Sequence, residues 1–210
     1  MSIEDRPAFS FVLPVFNEAE NVPLLAQRLI EAGAEICESF EILWVNDGSS
    51  DATEVVLAEL AAADPRHRAF HFSRNFAHMA ALTAGLELAR ATDAVVCLDA
   101  DGQHPPELIP TLVARWRDGV DVVQAVRRDS STEGWFKRGT SRGFYWVLNF
   151  LADLELPSGA SDFRLLDRQV VDAINGLPER VRFIRGLVYW AGYRREEIPY
   201  DPPARLSGTT

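Results

Sequence analysis

Short apolar runs alternate with amphipathic stretches from the start of the chain to Ala125. Phe9 to Pro14, Phe40 to Asn46, Arg68 to Phe72, Ala94 to Leu98 and Asp121 to Ala125 read as strands, several of them almost wholly apolar. Between them Val22 to about Ile36, Thr53 to Ala63, Met79 to Arg90 and about Pro106 to Asp118 read as helices. Strands that alternate with helices in this way predict an α/β fold of Rossmann-like kind, a mostly parallel sheet with helices on both faces. Beyond Ala125 the pattern loosens. Phe136 to Leu154 reads as an aromatic-rich helix, Phe163 to Leu166 as a short strand and Arg168 to Asn175 as a helix. No repeat, low-complexity segment or linker divides the chain, so residues 1–210 are expected to form one domain.

Composition narrows the classes. At 210 residues and 47% hydrophobic, the chain has enough apolar matter for one full core. A net charge of −10 lacks the basic footprint of nucleic-acid binding, and no nucleic-acid partner is expected. Cys37 and Cys97 fall in a predicted helix and a predicted buried strand, without metal-ligand spacing, and read as core thiols of a reducing compartment. The amino terminus lacks the basic region and apolar stretch of a secretory signal. The longest strongly apolar run, Phe144 to Leu151, falls well short of the roughly 20 residues a membrane span needs.

The chemistry concentrates where strands end. Asp99-Ala-Asp-Gly-Gln103 follows the run Ala94 to Leu98, and carboxylates spaced i, i+2 point to one side at a strand's carboxyl edge, where open α/β sheets bind ligands. Two carboxylates and an amide oxygen are hard ligands for Mg²⁺ or Mn²⁺, and a divalent ion lets an acidic pocket accept a diphosphate. A solvated Asp-Gly turn is the other reading. Pro14-Val-Phe-Asn-Glu18 and Asp47-Gly-Ser-Ser-Asp51 end two further strands. Ser50, Asp51 and Thr53 read as a turn that caps the next helix. Asp47 can accept a ring N–H of a nucleotide base, with Phe16 as a stacking face and Glu18 as an edge acceptor.

Taken together, Val12-Leu-Pro-Val-Phe-Asn-Glu18, Val45-Asn-Asp-Gly-Ser-Ser-Asp51, Arg74-Asn-Phe76, Leu98-Asp-Ala-Asp-Gly-Gln103-His-Pro-Pro106 and Ser161-Asp-Phe-Arg-Leu165 resemble the family 2 glycosyltransferases of GT-A fold. The resemblance covers nearly the whole chain. Within the family it is nearest to polyprenyl-phosphate glycosyltransferases of the dolichol-phosphate mannose synthase and bactoprenol glucosyltransferase type.

That resemblance implies roles residue by residue. Pro14, Phe16, Glu18 and Asp47 match positions that hold the nucleotide base and ribose. Phe16 stands where many relatives have Tyr, and Asn46 where many have a first Asp. Asp99, Asp101 and Gln103 match the residues that bind the metal and, through it, the diphosphate of a UDP- or GDP-hexose. Arg127, Lys137 and Ser141 match positions that bind the acceptor phosphate. The neighbouring Arg128, Arg138 and Arg142 read as solvated surface, His104 reads as a surface imidazole, and His78 carries no assignment. Asp162 matches a carboxylate kept by many inverting relatives. A phosphate monoester is already mostly dianionic at neutral pH, so Asp162 is expected, with Asp99 and Asp101, to organise the site rather than to abstract a proton.

The implied reaction is inverting transfer of a glucose- or mannose-type hexose from a nucleotide sugar to undecaprenyl or dolichyl phosphate. Transfer to a saccharide hydroxyl and a non-catalytic nucleotide-binding module in a membrane assembly are the alternatives. Arg205-Leu-Ser-Gly-Thr-Thr210 matches the first part of a motif whose arginine reaches the donor diphosphate and which in relatives leads into membrane helices. The expectation is therefore a catalytic domain cut before C-terminal membrane helices, which act at the cytoplasmic face of a membrane. A homo-oligomer is allowed.

Overall fold

The computed structural model describes residues 6–37, 39–128, 160–179 and 182–203. The strands are β1 (Phe9–Val15), β2 (Phe40–Asn46), β3 (His67–His71), β4 (Ala94–Cys97), β5 (Val122–Arg127), β6 (Ala160–Asp167) and β7 (Arg195–Tyr200). The helices are α1 (Val22–Ile36), α2 (Thr53–Ala63), α3 (His78–Leu88), α4 (Ile109–Arg117), α5 (Arg168–Asn175) and α6 (Ile184–Trp190), with a 3-10 turn at Pro106–Leu108 leading into α4. The expected aromatic helix at Phe136 to Leu154 lies outside the described residues.

The seven strands form one sheet in the order β3-β2-β1-β4-β6-β5-β7. Six run parallel, and β6, between β4 and β5, is antiparallel to both neighbours. β1 and β2 are buried along their full length, as strands covered on both faces must be, which explains their near-continuous apolar runs. On one face α1, α2 and α4 bury Leu25, Leu29, Leu57, Ile109 and Leu112 against Phe9, Phe11 and Leu13. On the other α3, α5 and α6 bury Ala81, Leu82, Leu86, Val170, Ile174 and Val188 against Val12, Leu43 and Val95. Gly85 lets α3 approach closely, since a Cβ there would stand 2.2 Å from Val12 Cγ1.

Two elements escaped the sequence pattern. β7 is an edge strand, and its Arg195-Glu-Glu-Ile-Pro-Tyr200 carries the charges and proline that edges tolerate, without the apolar run of a central strand. α6 is short, and its Ile-Arg-Gly-Leu-Val-Tyr-Trp mixes glycine, β-branched and aromatic residues with few strong helix formers, so packing of its buried Ile184, Val188 and Tyr189 holds it. β6 is longer than expected, and its added amino end carries Ser161 and Asp162.

Candidate active site

β1, β2, β4 and β5 deliver their carboxyl ends to one edge of the sheet, and the reversed β6 delivers its amino end to the same edge. The β4–β6 ladder pairs Cys97 with Arg164. Continued two residues, it sets Asp99 opposite Asp162.

The first two loops are laced together. Asn17 N–H donates to Ser49 Oγ (2.9 Å), Ser50 N–H to Asn17 Oδ1 (2.8 Å), Glu18 N–H to Thr53 Oγ1 (3.0 Å) and Ala19 N–H to Asp51 Oδ2 (3.2 Å). Asp51 also accepts from Thr53 N–H at the head of α2 (3.0 Å), so the turn reading of Ser50 to Thr53 holds and the same residues fix the loop after β1, while the N-cap itself falls on Ala52 with no side-chain cap. Asp47 is buried, and its Oδ1 accepts Phe76 N–H (2.7 Å). Gly48, at φ +69°, lies so close to Arg74 that a Cβ would stand 2.3 Å from its backbone carbonyl carbon. Arg74 in turn covers the Phe76 ring at 3.9 Å. These contacts seat the Arg74-Asn-Phe76 segment beside the Asp47 loop. Phe16 is exposed at the same edge with its face available for stacking, whereas Pro14 is buried within β1.

At the end of β4, Asp101 Oδ1 accepts Gln103 N–H (3.0 Å), while Gln103 Oε1 accepts from Arg127 Nη2 (2.8 Å). The expected metal-binding amide and the expected acceptor-phosphate arginine therefore touch. Lys137, Ser141 and Arg205 lie outside the described residues. Arg128 is exposed and paired with Asp201, in line with a surface role.

His104 corrects the sequence reading. It is buried rather than on the surface, its ring stacks on Phe163, and its Nδ1 accepts Asp99 N–H (2.8 Å). Burial lowers its proton affinity, and a nitrogen that accepts carries no proton. The 3.6 Å approach of Nδ1 to Asp99 Oδ2 is thus no ion pair; the neutral ring anchors the backbone of Asp99. The ring is hidden because Phe163 of β6 and Tyr200 of β7 enclose it.

Asp162 is buried and saturated. Its Oδ1 accepts from Arg164 Nη2 (2.9 Å) and Arg185 Nε (2.9 Å), and its Oδ2 from Arg185 Nη2 (2.6 Å) and His78 Nε2 (3.1 Å). Burial alone would push the carboxyl up, but the Arg185 and His78 hydrogen bonds and the arginine charges outweigh it and hold the group far below the usual carboxylate range. Burial likewise opposes protonation of His78, yet the bond to Asp162 and the charges of Asp99 and Asp162 raise its proton affinity overall. His78, Arg164 and Arg185 were not assigned from sequence. α3 begins one residue before the expected Met79, which puts His78 at the edge where helices following strands start. Arg185 gave no signal, because α6 was not foreseen.

The Oδ1 atom of Asp99 is buried with no hydrogen-bond partner among the described residues, the mark of an oxygen awaiting a cation or donor. By donor chemistry Asp99, Asp101 and the Gln103 amide are the hard oxygen type that suits Mg²⁺ or Mn²⁺, although the Gln103 oxygen already accepts from Arg127. His78, Asp99 and Asp162 also offer ligand atoms within 4.8 Å of one another.

A family model described as glycosyl transferase family 2 matches residues 10–174, from the second residue of β1 to the penultimate residue of α5. The chain belongs to glycosyl transferase family 2. An uncharacterised glycosyltransferase of Bacillus subtilis is 42% identical over 202 residues, covering 96% of the chain and 62% of that protein. A bactoprenol glucosyl transferase of Shigella phage SfV is 40% identical over 199 residues, covering 95% of the chain and 64% of that protein. The chain thus spans less than two thirds of these family 2 relatives. Among solved structures, a mannosyltransferase from Pyrobaculum calidifontis in complex with GDP-Man and Mn²⁺ superposes with a TM-score of 0.59 at 22% identity, over 92% of this chain and 55% of that one, which shows a shared GT-A fold.

Proposed function

We propose that this chain is the catalytic part of an inverting transferase that moves a hexose from a nucleoside diphosphate sugar, UDP-glucose foremost, to a polyprenyl phosphate at the cytoplasmic face of a membrane. The names of the bactoprenol relatives support the lipid acceptor. The observation that carries the chemistry is the saturation of Asp162. A carboxylate that already accepts four hydrogen bonds and is held far below its usual range is a poor proton acceptor, and an acceptor hydroxyl would need a good one. A phosphate monoester arrives already ionised and needs no base.

Each part of the site then has a task. Phe16, Glu18 and Asp47 hold the base and ribose, Asp47 through the oxygen not used on Phe76. Asp99 and Asp101, with Gln103, hold Mg²⁺ or Mn²⁺, which when bound supplies the counter-charge for the leaving diphosphate. Arg205 reaches the same diphosphate. Arg127, Lys137 and Ser141 dock the acceptor phosphate, a reading supported by the contact of Arg127 with Gln103. Asp162, clamped by Arg164 and Arg185, organises the site beside Asp99 rather than taking a proton.

The test is a pH–rate profile for transfer to a short polyprenyl phosphate, repeated with the matching phosphonate, whose second ionisation lies higher. The acid limb is expected near the acceptor's second pKa of about 6 and to move up with the phosphonate. A limb that stays fixed when the acceptor changes overturns the proposal.

A further inference from the structure

We propose that His78 is a positioning residue, a bridge that holds Asp99 and Asp162 at their working separation; the assignment rests on the transferase reading above. The β4–β6 register sets these two carboxylates opposite each other, and like charges so placed repel. His78 Nε2 lies between them, 3.1 Å from Asp162 Oδ2 and 3.5 Å from Asp99 Oδ1. A carboxylate can only accept, so Nε2 carries the hydrogen. Asp162 has two guanidiniums to fix it. Asp99 Oδ1 has no hydrogen bond among the described residues, and His78 is the imidazole that faces it.

The ring is delivered with effort. It stands on the first residue of α3, a helix pressed on the sheet through Gly85 and buried Ala81, Leu82 and Leu86. The preceding residue, Ala77, takes φ 76° and ψ 156°, a conformation costly for any residue but glycine. Strain of this kind persists where the surrounding structure demands an exact aim. The three side chains could instead share a cation, but both Asp162 oxygens already accept from Arg185, whose charge opposes a metal at that point. A donor between the carboxylates agrees better with that crowding.

The experiment compares His78→Ala, His78→Gln and His78→Asn in the full-length protein. The Gln amide nitrogen reaches the place of Nε2, and the shorter Asn does not. His78→Ala and His78→Asn are expected to lower kcat by about 10–100-fold, as loss of a group that orients a ligand residue does, with the donor KM changed little. His78→Gln should recover most of that rate. Equal rates in Ala and Gln, a kcat for Ala close to wild type, or a loss confined to donor KM would each overturn the assignment. Slow hydrolysis of the nucleotide sugar, followed without acceptor, should rank the variants in the same order. A wild type that hydrolyses donor yet transfers nothing to polyprenyl phosphate refutes the acceptor, whereas hydrolysis indifferent to the variants refutes the bridge.

Discussion

At the scale of single residues, the site is legible where chemistry needs a residue type and silent where it needs a conformation. Asp99, Asp101 and Asp47 stood out because they end strands at the edge where open α/β sheets bind ligands. Ala77 gave no sign, since nothing in an alanine announces a backbone that only glycine adopts freely. Its strain can be measured. Ala77→Gly removes a cost of about 1–3 kcal/mol and returns roughly 1 kcal/mol in unfolded-chain entropy. The net gain of about 1 kcal/mol should raise Tm by about 2–4 °C in a chain of this size, checked by scanning calorimetry. A fall in Tm would show that Ala77 is unstrained. His104 was misjudged for the opposite reason: a lone histidine beside acids reads as wet, and only tertiary packing under Phe163 and Tyr200 makes it dry.

At the scale of elements, one buried acid ties four segments at the sheet edge away from the site. Glu41, near the start of β2, accepts from Ser10 Oγ of β1 (2.7 Å), Arg68 Nη1 of β3 (2.8 Å) and both the backbone N–H and Nε of Arg90 after α3 (2.8 Å each). Burial pushes its carboxyl up, but these donors prevail and hold it below its ordinary value of 4.5. A folded-state pKa below the unfolded one adds stability that is complete above pH 4.5 and lost as pH falls through the folded value. Glu41→Gln should therefore cost about 1–3 kcal/mol at neutral pH, measured by urea denaturation. The gap to wild type should close in acid; a constant gap would mean the charge of Glu41 is immaterial. The strands β1, β2, β4 and β5 and helices α1 and α2 were legible because their apolar periods match their partners. β7 was not, because an edge strand satisfies its neighbour with backbone alone and leaves its side chains polar.

At the scale of the molecule, parallel order and a two-faced core followed from the alternation of strands and helices, but the reversal of β6 did not. A strand's direction is invisible in its composition. Yet that reversal decides the site, since it brings Asp162 rather than Asp167 to the edge where Asp99 stands. No described helix is long and apolar enough to cross a membrane.

The reversal also makes the protein modular. Because β5 arrives at that edge and β6 departs from it, with Val126 paired to Ala160, the intervening stretch enters and leaves the sheet through adjoining doors. We predict that it behaves as a cassette on the chassis of the sheet. Replacing residues 130–158 by a short Gly-Ser turn should leave cooperative unfolding and UDP binding intact, because the strands on either side already pair with each other. The same change should abolish transfer to lipid phosphate, with Lys137 and Ser141 gone. Loss of the folded sheet would show that the cassette and chassis are one piece. If they are separable, acceptor choice could change across relatives by exchange of this one insert while the donor chemistry stays untouched.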